Sequence, residues 1–168
     1  MASENLYVVK RTCHSPSHAT EPIFDIALPA TFANLEAAKL EAKSVLFNEG
    51  YEKEFFSTYD INDGKGPWSH GDGIVVYATG ASGEVLKVEI DTVINLSGLE
   101  SDARGRVLPP LYHVLQTIID YNKDRSGSQR NSIVEGSYRD LKLARKQALQ
   151  VLLDESVTKD SFAEYDDF

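Results

Sequence analysis

KEFFSTYDIN, residues 53–62, returns in altered form as KDSFAEYDDF, residues 159–168. Both read Lys, acid, any residue, Phe, two residues, then Tyr-Asp. Laying 31–62 on 137–168 without a gap extends the match upstream. Leu35 meets Leu141, Ala38 meets Ala144, Ala42 meets Ala148, Val45 meets Val151, Leu46 meets Leu152 and Glu49 meets Glu155. Further back, one residue out of step, LYVVKRT (6–12) matches LYHVLQT (111–117). Two unrelated amphipathic helices can share a hydrophobic spacing. They would not also share a Phe-x-x-Tyr-Asp tail that lies outside the helical pattern, so the repeat is read as an internal duplication.

Each copy opens with a short strand rich in β-branched and aromatic residues, Leu6–Val9 and Leu111–Val114. A polar loop follows, CHSPSHATEP in the first copy and DYNKDRSGSQRN in the second, and then a second strand, Ile23–Leu28 or Ser132–Gly136. Asn34 and Asp140 are suited to capping helix N-termini. Behind Asn34, apolar positions 35, 38, 42, 45 and 46 share one helical face, with Glu36, Lys39 and Lys43 opposite. Gly50 fits a C-terminal stop. After Asp60 the first copy continues through a Gly-rich loop into a hairpin, GIVVYAT and EVLKVEIDT about a Gly80–Gly83 turn. Leu86, Val88 and Ile90 alternate with Lys87, Glu89 and Asp91, which predicts one buried and one wet face.

The expected order is ββα–ββ–ββα. One domain spans 1–168, with copy one at 5–92, a linker at 93–110 entering the second unit through Pro109-Pro110, and copy two at 111–168, which has no hairpin. The expected fold is an α+β two-layer sandwich from an incomplete duplication: one antiparallel sheet of six strands with both helices on one face. The alternative is that the hairpin completes only its own copy, the second copy finding its partner in another chain.

Net charge −9 argues against binding to nucleic-acid backbones or anionic membranes. One cysteine excludes an internal disulfide and points to a reducing, cytoplasmic compartment. The N-terminal MASENLYVVKRT has no signal-peptide pattern.

The chemistry-bearing candidates are few. GKGPWSHGDG (64–73) holds the only tryptophan, Trp68, near His70 and Asp72. An indole can wall a pocket, and a His held by an Asp can transfer a proton. The order of glycines and lysine rules out a phosphate loop. Against this stands a plain connection whose Trp packs on a sheet edge. His113 occupies a strand position where the first copy has Val8, so it either faces a pocket or is half exposed. Tyr59-Asp60 recurs as Tyr165-Asp166, which favours architecture over catalysis: the Tyr capping the core and the Asp bonding backbone amides.

Cys13, His14 and His18 supply three local donors in a spacing that matches no zinc motif, and only His70 or His113 offers a fourth nitrogen. Asp120, Asn122, Asp124 and Ser126 alternate as calcium ligands do, but Arg125 and Asn131 stand where an EF-hand needs Gly and Glu. No metal or cofactor is expected.

Two functions remain. The first is a non-enzymatic ligand-binding or protein-interaction module, homodimeric through strand edges left by the shorter copy, with Trp68 and His70 at a small-molecule site. The second is a cofactor-independent isomerase, cyclase or lyase using His70 and Asp72, with His113 or Tyr59 as second acid and Trp68 as wall. Convergence of Trp68, His70 and His113 on one cavity would favour the enzyme.

Overall fold

The structure, a computed structural model, describes residues 1–16, 23–125, 127 and 129–166. It is an α+β fold whose described residues form seven strands in two antiparallel sheets with three helices, and it is not a barrel. The strands are β1 (Asn5–Ser15), β2 (Ile23–Phe32), β3 (Phe56–Ile61), β4 (Ile74–Gly80), β5 (Val85–Ile94), β6 (Tyr112–Ile119) and β7 (Arg130–Tyr138). The helices are α1 (Leu35–Ala42), α2 (Val45–Asn48) and α3 (Leu141–Ala148).

The expected single six-stranded sheet is not formed. A five-stranded sheet runs β2-β1-β5-β4-β3, and β6-β7 stands apart. The hairpin β4–β5 pairs with β1 and β3 and not with β6, whose partner is β7. The Phe-x-x-Tyr-Asp segment of the first copy is itself an edge strand, β3, because Tyr59 and Asp60 pair with Ala78 and Tyr77.

Nor do the helices share a face of one sheet. Val9, on β1, belongs to a core with Ala38, Ala42, Val45, Leu46, Val76 and Leu86, placing α1 and α2 on one side of the large sheet. Its neighbours Leu6 and Val8 point the opposite way, because side chains alternate along a strand. They join Val93, Leu99, Val107 and Val134, so β7 covers the other side. β1 is thus buried on both faces, which explains its continuous apolar run. Helix α3 covers the far face of β6–β7 through Val114, Tyr138 and Ala144.

The seam between the sheets carries a buried ion pair. Lys10, only 3% exposed, reaches Asp91 at 2.9 Å and Glu89 at 3.3 Å. Lys10 Nζ also donates to the Ser132 carbonyl, and Asp91 Oδ2 accepts the Val134 N–H at 2.8 Å. Residues 132 and 134 alternate along β7, so the pair takes up its backbone groups as a neighbouring strand would.

The two ββα units match in detail. Asn34 accepts the Ala37 N–H at 3.0 Å and Asp140 accepts the Leu143 N–H at 2.7 Å. Tyr7 pairs with Phe32 as Tyr112 pairs with Tyr138, and Val9 with Ala30 as Val114 with Gly136. Both ladders shift register just beyond those pairs. Tyr59 O–H donates to the Lys43 carbonyl, and Tyr165 O–H to that of Leu149. Gly136 is required locally: a Cβ there would stand 2.8 Å from the Tyr138 ring, which lies across it.

The units differ in cover. Val45 and Leu46 are 2% and 0% exposed beneath the hairpin, whereas Val151 and Leu152 are 37% and 40% exposed. Among the described residues no strand lies beyond β6 to receive them.

Candidate functional site

Strand alternation puts Tyr59 and Asp60 on opposite faces of β3. Tyr59 packs under the helices against Phe47 and Phe56, ring centroids 5.2 and 4.9 Å away. Burial raises its phenol pKa above the usual value. Asp60 faces outward beside Tyr77, its cross-strand partner.

The Gly-rich connection folds down onto this outer face. Asn62 and Asp63 start it by accepting the amides two residues on, from Gly64 and Lys65. Trp68 Nε1–H donates to the Gly71 carbonyl at 3.0 Å, closing the loop on itself, and Gly71 takes φ 111°, a conformation that favours glycine. His70 then lies flat on Tyr77, centroids 4.0 Å apart and planes 6° apart, with Trp68 set edge-to-face against it, ring centroids 4.8 Å apart. Its Nε2 is 2.8 Å from Asp60 Oδ2.

The expected His70–Asp72 pair is therefore corrected: Asp72 is exposed, and the carboxylate on His70 is that of Asp60. Among the described residues Asp60 bonds His70 and no backbone amide, contrary to the role its recurrence suggests. The loop brings the acid of the repeated Tyr-Asp within reach of its own histidine, which spacing alone could not reveal.

His113 lies elsewhere, on β6. Its Nδ1 is 2.8 Å from the Ser137 Oγ, and burial pushes the imidazole pKa below its ordinary value. His70, Tyr59 and His113 thus occupy the outer face of β3–β4, the helix-covered face, and the second sheet. They do not converge.

Cys13 and His14 were expected in a loop, but β1 continues through both. Neighbours on a strand point apart, so they cannot share an ion. Cys13 sits beside the first core, and burial raises its thiol pKa. His18 lies outside the described residues. Among the described residues, no three His, Cys, Asp or Glu side chains are grouped to hold a metal ion. Asp120 and Asp124 accept the amides of Asn122 and Gln129 within their turn; Ser126 is not described. Among the described residues no helix is long and apolar enough to cross a membrane.

Two grooves remain that the sequence did not disclose. The first, about 650 Å³, lies beside α1, with Leu35, Leu40, Ile74, Val75 and Ile90 as apolar lining. Lys39 and Lys43 stand on one bank and Asn62, Asp63 and Gly64 on the other. The stems of the Gly-rich loop therefore border a groove while its Trp68 and His70 turn away from it. The second, about 700 Å³, runs between the sheets past His14, Lys87, Glu89, Lys123 and Arg130. There His14 Nε2 is buried without a hydrogen-bond partner among the described residues. Comparison of the chain with protein-family models, with curated proteins and with solved structures finds no match.

Proposed function

We propose that this chain is a small-molecule-binding module, not a catalyst, and that it works as a homodimer. The observation that carries the reading is the dispersal of its acid–base groups. His70, Tyr59 and His113 each lie on a different surface, and each is held by a neighbour that accounts for it structurally. Proton-transfer chemistry needs such groups within hydrogen-bond reach of one substrate atom.

The binding site under this reading is the groove beside α1. An apolar lining with a few polar groups at its rim is the usual make-up of a ligand pocket. Lys43 suits it to an apolar molecule bearing an acidic group, while Lys39 on the same bank is paired with Glu36 at 2.9 Å. Ligand-observed NMR with a panel of short aliphatic and aromatic carboxylic acids tests this. Binding that is lost in Leu40→Asp supports the reading; no binding by any acid, or binding indifferent to Leu40→Asp, rules the groove out.

The two ββα units are read as copies of one ancestral unit, supported by their shared caps, register and tyrosine bonds. The second functional reading, a cofactor-independent isomerase, cyclase or lyase, rests on the Asp60–His70 pair, since a carboxylate-held imidazole can move a proton. It requires a substrate whose turnover disappears in both His70→Ala and Asp60→Asn.

A further inference from the structure

We propose that β6 is the seam of the homodimer. The strand pairs antiparallel with β6 of a second copy, and Val151 and Leu152 of each copy lie over the strand so added. This deepens the dimer reading above and rests on it.

The first ββα unit displays what the second lacks. There β5 runs antiparallel along the outer edge of β1, and the residues following α1 sit on it with Val45 and Leu46 buried. In the second unit the same positions, Val151 and Leu152, have more than a third of their surface bare. An antiparallel strand on the β6 edge would restore the arrangement of the first unit.

The other edges are managed. β7 is engaged by Lys10 and Asp91. β2 is flanked by the 105–107 segment, where Ala33 N–H donates to Gly105 and Val107 N–H to Thr31. β2 and β3 also carry Asp25 and Asp60. β6, YHVLQTII, carries no Lys, Arg, Asp or Glu, no proline, and exposed Tyr112, Leu115 and Ile118. A long, uncharged, apolar edge invites pairing.

Charge selects a second copy as the occupant. In a two-fold antiparallel pair a strand meets itself, so a charged position brings like charges close, and like charges opposed across a ladder are destabilising. On a chain of net charge −9, β6 alone among the edge strands avoids this. Pairing also gives acceptors to the β6 amides that have no partner among the described residues, while its other amides already face β7.

The test is sedimentation of the whole chain from micromolar to near-millimolar concentration, with hydrogen exchange of the β6 amides. The variants are Ile118→Lys and Leu152→Lys, both at exposed positions, with Leu96→Lys, exposed just after β5, as a control. The proposal expects a dimer whose formation protects β6 amides not bonded to β7. It expects Ile118→Lys and Leu152→Lys to weaken association at least about tenfold, and Leu96→Lys to leave it unchanged. A dimer whose β6 amides exchange freely, or that ignores both lysines, overturns the seam but keeps the dimer. A monomer at every concentration overturns both.

Discussion

Asp91 holds Lys10 at 2.9 Å in the closed seam between the two sheets, and the same carboxylate accepts the Val134 amide. One side chain thus neutralises a buried cation and completes a backbone bond on β7. Breaking such a pair from one side strands the other charge, at a cost of about 3–5 kcal/mol. Lys10→Met should lower stability by about that much in urea unfolding, and Asp91→Leu by less, because Glu89 at 3.3 Å still faces Lys10. The double variant should cost less than the sum of the two, because neither charge is left alone.

Leu46 and Leu152 correspond in sequence but not in burial. Leu46→Ala empties a packed site and should cost about 2–5 kcal/mol. In dilute solution Leu152→Ala should stay within about 0.5 kcal/mol, as an exposed substitution does. Parallel urea titrations of the two variants decide it, and equal losses would contradict the described cover.

The only tryptophan reports on the Gly-rich loop. His70 is clamped between Tyr77 and Trp68. Tyr77→Ala removes the ring on which His70 stacks, so the Trp68 emission should move to longer wavelength and its anisotropy should fall. Far-ultraviolet circular dichroism should hardly change. An unaltered emission would mean that the loop is held by something other than this stack.

Histidine 113 gives the fold a pH dependence of known sign. The unfolded imidazole takes up its proton near pH 6.5, and burial moves the folded imidazole to lower pH. Between those values the unfolded chain binds more protons, so stability falls as pH is lowered through that window and is fully present above about pH 6.5. Replacing His113 with Gln should flatten this slope in denaturant midpoints measured from pH 7 downwards. A slope identical to that of the wild type would assign the effect to other groups.

Local elements could be read from the sequence because local chemistry writes them. The Asn34 and Asp140 caps, the Gly80–Gly83 turn and the alternation of β5 lie where side-chain type predicts. Strand partnership could not, since an apolar strand edge does not name its neighbour. Hence the strand pattern reads as one six-stranded sheet, although Leu6, Val8 and Val9 already form the continuous apolar run of a strand covered on both faces. The site failed for a related reason. Asp72 is two residues from His70 and Asp60 is ten, yet the loop curls so that the distant acid makes contact. The groove beside α1 gathers residues from α1, β4 and β5, a set that no local pattern marks.

The five-stranded sheet draws every strand from residues 5–94. A chain emerging from the ribosome can therefore finish this sheet and its helical cover before β6 is made, in keeping with folding from the N-terminal side. At that stage Leu6, Val8 and the Lys10–Asp91 pair form a bare face awaiting β7. The order of synthesis thus separates two events: the large sheet supplies a finished template, and the second ββα unit folds by docking onto it.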